Sequence, residues 1–196
     1  MRLRLIYLLL FYLTFISCQK QKLDIRYYPS KDLHKKSKIV NLDLDTTNLN
    51  FLEITGKVRQ IYKENKVPLI EVFDKGTNKR IIPLVFDEIR KRDVLSITTD
   101  SILIDNGYSI TELKTILKRH YSNNGKDYHY PRSYKKAIIE VAIDTSKKGE
   151  DLKKSLLNLT RVFDEINKEI KDTIELRIFF NCFRQIPPPP LPLEPY

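Results

Sequence analysis

The sequence predicts an α+β fold, in which a β-β-α-β-α-β succession over residues 93–184 builds a sheet with two helices packed on one face. The clearest observation is an apolar stripe with spacings of three and four residues, typical of a helix with one buried face. Runs rich in β-branched residues before and after the two helical segments predict the strands. The stripe consists of Leu152, Leu156, Leu159, Phe163, Ile166 and Ile170.

The N-terminal residues are typical of an exported chain. Arg2 and Arg4 precede a run of about twelve mostly apolar residues, 5–16, which is the length of a signal-peptide core. A membrane-spanning helix needs about 20 residues. The run ends at Ser17-Cys18, and a small residue before such a cysteine resembles a bacterial lipobox. The resemblance implies that residues 1–17 are removed and that Cys18 becomes the lipidated N-terminus of an envelope lipoprotein, periplasm-facing or on the outer membrane.

Residues 18–38 are predicted to form a basic tether after this anchor. They contain seven Lys or Arg residues and two Asp residues, without a sustained apolar period. Such a segment lies on an anionic leaflet, where each basic residue contributes on the order of 1 kcal/mol, or it is a solvated linker. The composition leaves both interpretations open.

Residues 39–92 are predicted to be a β-rich region. Turn-forming residues at 75–78 indicate that the last two of its strands form a hairpin. The spacing of Val58, Ile61 and Tyr62 indicates a short helix over 57–64. The candidate strands are 39–44, 51–55, 69–73 and 80–86.

The pattern is clearer from residue 93 onward. Two strands, 94–98 and 101–104, are followed by the turn Asp105-Asn106-Gly107. A hydroxyl at Ser109 three residues before Glu112 has the form of a capping box and predicts the start of the first helix. The remaining predicted elements are the strand 137–143, the helix with the apolar stripe, and the strand 174–180.

The chain ends in a proline-rich tail, residues 185–196, with four consecutive prolines at 187–190. Proline fixes φ and lacks a backbone donor, so the tail is predicted to be extended polyproline II. Such a segment is either a ligand for an aromatic groove or a spacer.

Tyrosine and basic residues alternate in the loop between the first helix and the next strand. This mixture could stack on sugars or bind an acidic partner. Alternatively, the tyrosines order the loop and cover the sheet edge. The candidate partner-binding residues are Tyr121, Lys126, Tyr128, Tyr130, Arg132 and Tyr134.

We expect neither catalysis, nor a cofactor, nor a metal site. His120 and His129 lack the spacing of a paired-histidine site, and five glycines in the chain form no phosphate-binding loop. With Cys18 modified, Cys182 is the remaining cysteine and is predicted to be a core residue. The net charge of +10 would suit nucleic acid, but an exported chain rarely meets it. The expected partners are therefore a membrane, an envelope protein or an acidic cell-wall polymer.

Short sequence pieces between Ser101 and Ile170 occur in a familiar order. This run resembles the periplasmic domain of the ExbD/TolR biopolymer-transport family, nearest to the variant with a longer loop after its first helix. The resemblance implies a non-catalytic domain that dimerises and contacts other envelope components. The pieces are Ile104-Asp105-Asn106-Gly107, the helix through Leu113 and Leu117, Asn123-Asn124-Gly125-Lys126-Asp127, Pro131, Lys136-Ala137-Ile138, Asp144-Thr145 and Phe163-Asp164-Glu165-Ile166.

The chain departs from that family in its N-terminal segment. Family members carry a membrane helix with a proton-coupling aspartate, whereas residues 5–16 contain no carboxylate and the first acidic residue is Asp24. The resemblance therefore implies an interaction or scaffold module of a membrane complex. Two alternatives remain open: an uncleaved ExbD-like subunit of a proton-driven transport system, and a lipoprotein immunity or inhibitor protein that acts on an exported toxin.

Overall fold

The computed structural model describes residues 23–36, 38–170 and 172–182, and its mixture of helices and two sheets confirms the predicted α+β class. The predicted signal peptide, Cys18 and the proline-rich tail lie outside the described residues. The elements, in chain order, are β1 (Asp24–Tyr28), α1 (Lys31–Lys36), β2 (Ile39–Asn41), α2 (Phe51–Lys63), β3 (Val67–Asp74), β4 (Thr77–Ile81), β5 (Val94–Ile97), β6 (Ser101–Ile102), β7 (Tyr108–Ser109), α3 (Leu113–Ser122), β8 (Ile138–Val141), α4 (Gly149–Glu169) and β9 (Ile178–Phe180).

The strands form two sheets. The first has the order β1-β4-β3-β2, and its central pair is an antiparallel hairpin, as predicted. The second strand of this hairpin is Thr77–Ile81, so the predicted strand 80–86 begins too late in the chain. The second has the order β7-β6-β5-β8-β9, in which β5, β8 and β9 are parallel. The sheets meet beyond β4, where the Leu84 N–H donates to the carbonyl of Ile178 at 2.7 Å.

One hydrophobic core contains residues of both sheets, and it draws on both predicted regions, 39–92 and 93–184. Phe51 of α2 packs its ring 5.8 Å from that of Phe180 in β9. The stripe residues of α4 from Leu152 to Ile166 are all buried in the same core, as predicted. The core is shared because the apolar face of α2 packs against both β3, in the N-terminal region, and α4, in the C-terminal region.

The predicted strand 51–55 is wrong, because these residues begin α2. The side chain of Asn50 accepts a hydrogen bond from the Glu53 N–H at 2.9 Å, and the Glu53 carboxylate accepts one from the Asn50 N–H at 2.8 Å. This capping box starts the helix six residues before the predicted 57–64 segment. The buried face of α2 has helical spacing over its whole length and consists of Phe51, Ile54, Thr55, Val58 and Ile61.

Much of the predicted tether belongs to the folded body. Residues Asp24–Tyr28 form β1, which pairs in parallel with all five residues of β4. Tyr28 is 3% exposed, and its hydroxyl donates to Asp164 at 2.7 Å. Asp24 and Arg26 lie on one face of β1 and Ile25 and Tyr27 on the other, but a pattern of five residues does not identify β4 as the partner strand.

A buried group of charges joins the first sheet to α4. Lys79 of β4 is 3% exposed, and its ammonium lies 3.2 Å from Asp74 and 3.3 Å from Asp164. It also donates to the Thr160 hydroxyl at 3.2 Å. Arg161 donates to both oxygens of Asp74, at 2.8 and 2.6 Å. The Arg161 hydrogen bonds, helped by Lys79, hold the pKa of Asp74 well below its usual range. We call these five residues the α4 cluster.

Replacing Lys79 with Met should lower the free energy of unfolding by about 3 kcal/mol, the lower end for a broken buried ion pair. The lower end applies because Arg161 still contacts Asp74, and Arg26 contacts Asp164 at 2.7 Å. Urea denaturation of both proteins measures the difference.

The matched control is Lys154→Met, which removes an exposed lysine that pairs with Glu150 on the same helix. That variant should unfold at the same urea concentration as the unmodified protein. Equal unfolding midpoints for Lys79→Met and Lys154→Met would show that the α4 cluster contributes no stability.

Candidate functional site

A groove of about 890 Å³ opens beside the second sheet. Three segments line it: 90–96 before and within β5, 103–106 after β6, and 128–132 of the loop that follows α3. The second and third of these segments are held together because the Tyr130 hydroxyl donates to Asp105 at 3.1 Å. The groove is thus built from parts of the chain that are up to 42 residues apart (132 minus 90).

The groove is strongly basic. Arg90, Lys91, Arg92 and Arg132 line it, and within the described residues Arg90, Lys91 and Arg132 form no ion pair. Asp105 is the acidic residue of the lining, and its carboxylate already accepts bonds from Arg119 and Tyr130. Arg90, Lys91 and Arg132 are therefore exposed without an ion-pair partner among the described residues, which favours an anionic ligand.

An aromatic ring stands at the rim of the groove. Tyr128 is 77% exposed, and the guanidinium of Arg92 lies 5.7 Å from the centre of its ring. Exposed tyrosine beside arginine offers both a stacking surface and charge-assisted hydrogen bonds. The rim can therefore contact an acidic chain through more than its charge.

The loop that carries Tyr128 and Arg132 is held by a buried amide. Asn123 is 7% exposed, and its Nδ2 donates to the carbonyls of Asp127 and Pro131, both at 3.0 Å. Its Oδ1 accepts the N–H of Asp127 at 2.9 Å. These bonds close the loop on itself, so its basic and aromatic side chains are positioned before a ligand arrives.

A buried polar link lies under the groove. Glu140 of β8 is 1% exposed and accepts hydrogen bonds from the hydroxyl of Ser96 in β5 and, at 2.6 Å, from the amide of Asn181 after β9. Ser96 also lines the groove. The link therefore ties three neighbouring strands together on the side that faces the groove.

Two of the predicted partner-binding tyrosines are core residues. Tyr121 and Tyr130 are each 1% exposed. Burial raises the pKa of Tyr121, whose hydroxyl donates to the carbonyl of Glu175 at 2.9 Å. Tyr130 lies under Arg119, whose guanidinium is 4.4 Å from the ring centre. Neither ring is presented to a partner, because each fills the space between α3 and the rest of the fold.

The other four predicted residues are distributed over the surface. Tyr128 and Arg132 come together in the groove. Lys126 is exposed on the same loop but does not line the groove. Tyr134 is half-buried in a separate depression that includes Glu175.

Residues 90–92 line the groove but are not among the predicted partner-binding residues. Arg90-Lys91-Arg92 is a run of three basic residues directly before a strand, which is a recognisable signal. Nothing in the sequence, however, links that run to Tyr128 and Arg132, because the proximity arises from the packing of the second sheet and α3.

The two histidines considered as metal ligands differ in their exposure to solvent. His120 is 1% exposed in the core, whereas His129 is exposed in the groove. Burial lowers the pKa of His120 to about 4, and the carbonyls of Ile138 and Asp93 oppose part of this shift. In the part of the chain that the structure covers, no three His, Cys, Asp or Glu side chains are grouped as metal ligands.

Within the described ranges, none of the helices combines the length and apolar character that crossing a membrane requires. Compared with known proteins, the chain matches no family model, no curated protein and no solved structure.

Stability should depend on pH through His120. The unfolded histidine titrates near 6.5 and the folded one near 4, so the unfolded state binds more protons between these values. The contribution of His120 to the free energy of unfolding is therefore complete above about pH 6.5. It decreases by up to about 3 kcal/mol as the pH falls to 4. Urea titrations at a series of pH values measure this slope.

His120→Gln should flatten the slope, while the control His129→Gln, at an exposed position, should keep it. His34, whose pKa is also lowered by burial, contributes a further part of the slope in both variants. An unchanged slope in His120→Gln would rule out His120 as its source.

Proposed function

We propose that this protein is a lipid-anchored, non-catalytic binding module of the bacterial envelope, and that its basic groove binds an acidic partner. One observation carries the proposal: Arg90, Lys91 and Arg132 converge on a single groove, and none of the three forms an ion pair among the described residues. The lipobox-like Ser17-Cys18 supports the anchor.

The chemistry of the groove favours an extended anionic chain over a small ion. The groove is open and about 890 Å³ in volume, so several separate anionic groups can reach its cations at once. Exposed cations around a concave surface raise the association rate of an oppositely charged partner and make binding sensitive to salt. Tyr128 and Arg92 add a surface for stacking at the rim.

The groove offers a surface for binding and no evident chemistry. Ser96, the serine of its lining, is 2% exposed and donates its hydroxyl hydrogen to Glu140. That arrangement fits a structural link between strands. The resemblance of residues 101–170 to the ExbD/TolR periplasmic domain supports the same role, since that domain performs no chemistry and works by contacting envelope components.

The anchor is tested by the intact mass of membrane-extracted protein, compared with that of Cys18→Ser. We expect a diacylated chain that begins at Cys18, and loss of this species in the variant. A mass that begins at Met1 in both would overturn the lipoprotein and favour an uncleaved ExbD-like subunit.

The groove is tested by reversing two of its charges, in the double variant Arg90→Glu/Arg132→Glu of the full chain. Binding to polyglutamate and to a glycerol-phosphate polymer, measured by fluorescence anisotropy, should weaken by at least about tenfold, which is about 1.4 kcal/mol. The salt dependence of the remaining binding should also decrease.

The matched control is Lys63→Glu/Lys154→Glu, which changes the net charge equally at two exposed lysines that do not line the groove. If both double variants lose the same affinity, the attraction comes from net charge and the groove has no special role. Preference for the peptide would indicate a protein partner, and preference for the phosphate polymer a wall component. If the protein instead protects cells against the toxin encoded by a neighbouring gene, the immunity role is favoured.

A further inference from the structure

The outer face of the first sheet carries an exposed apolar patch. Leu23, Ile25 and Phe73 are 47%, 42% and 58% exposed. Ile25 of β1 and Phe73 of β3 both lie opposite Asn78 of β4, so their side chains share one face of the sheet. Leu23 directly precedes β1. We call these three apolar residues the β1 patch.

The rest of this face is already covered. His34 of α1 packs edge-on against Tyr27, with ring centres 4.8 Å apart. Lys31 and Arg80 both lie 5.8 Å from the centre of the same ring. The β1 patch is thus the uncovered end of the face, and it is the end from which the chain leads back to Cys18.

Covalent geometry ties this patch to the predicted anchor. Four residues lie between Cys18 and Leu23, and the five steps of a fully extended chain span at most about 18 Å. A lipid on Cys18 therefore keeps Leu23 close to the bilayer surface. β1 is hydrogen-bonded to β4 along its whole length, so the sheet follows it.

We infer that the β1 patch docks on the head-group region of the anionic membrane that receives the lipid. This inference rests on the lipidation of Cys18 proposed above. Two exposed lysines supply positive charge near the patch: Lys31 lies 5.8 Å from the ring of Tyr27, two residues after Ile25, and Lys75 is two residues after Phe73. The sequence adds Lys20 and Lys22 between the anchor and β1. Apolar side chains rimmed by lysine are the composition of an interfacial membrane contact.

The size of the patch argues against a second copy of this chain as its occupant. A stable protein–protein interface buries about 1,200–2,000 Å², which needs roughly 20–30 residues from each partner, whereas the patch has three. A membrane contact does not need that area, because the lipid anchor supplies the affinity and the patch only sets orientation. The basic groove belongs to the second sheet and stays outside this contact.

The chain contains no tryptophan, so a single substitution reports on the patch. The experiment places Phe73→Trp in the full chain, reconstituted in vesicles of phosphatidylethanolamine and phosphatidylglycerol with brominated acyl chains. The matched control is Leu52→Trp, at a 51% exposed position on α2. The Phe73→Trp protein should lose most of its emission to bromine quenching, while the Leu52→Trp protein should keep its emission.

Intact mass of the same samples separates the two proposals. Unquenched Phe73→Trp in protein that begins at diacylated Cys18 would overturn the membrane contact and leave the lipoprotein intact. An unprocessed mass would overturn both. In vesicle-free Cys18→Ser protein, a blue shift of Phe73→Trp emission that grows with protein concentration would assign the patch to a second copy and also overturn the inference.

Discussion

Lys79 is the cation around which the first sheet and α4 are assembled. Its ammonium pairs with Asp74 of β3 and Asp164 of α4. Each carboxylate also pairs with an arginine across the contact: Asp74 with Arg161 of α4, and Asp164 with Arg26 of β1. A buried charge is tolerated only when it is paired and hydrogen-bonded, so these groups define one position of α4 on the sheet. Because α4 also packs against α3 and lies in the core of the second sheet, that position organises the whole chain.

The groove depends on this arrangement only indirectly. Apart from Val94 and Ser96 of β5, its lining residues lie outside the strands and α-helices. Polar links hold these loops: Tyr130 and Arg119 donate to Asp105, and Asn123 bonds across its own loop. Each of these links satisfies a buried or half-buried group. The exposed cations, in contrast, have no such partners within the described residues, which is why they are available to a ligand.

Charge is therefore used in two ways in this molecule. Between the first sheet and α4, cations and carboxylates neutralise each other and specify packing. In the groove, Arg90, Lys91 and Arg132 form no ion pair within the described ranges, and Lys31 and Lys75 accompany the exposed apolar side chains of the β1 patch. We propose separate tasks for these two surfaces. The β1 patch, on the first sheet, contacts the membrane, and the groove, beside the second sheet, binds an acidic partner.

The sequence alone determined the α+β class, the stripe of α4 and the β3–β4 hairpin, because each leaves a local signature in periodicity or turn residues. The helix Phe51–Lys63 also has a local signature, the Asn50–Glu53 capping box and its helical spacing, which the prediction of a strand over 51–55 overlooked. Only the tertiary structure decided that Asp24–Tyr28 is a strand. The position of β1 depends on β4, whose paired residues lie 53 positions further along the chain (77 minus 24). It likewise decided that Tyr121 and Tyr130 are core residues while Arg90 and Lys91 face the groove with Tyr128. Burial and proximity of this kind come from contacts between distant segments, which no local pattern encodes.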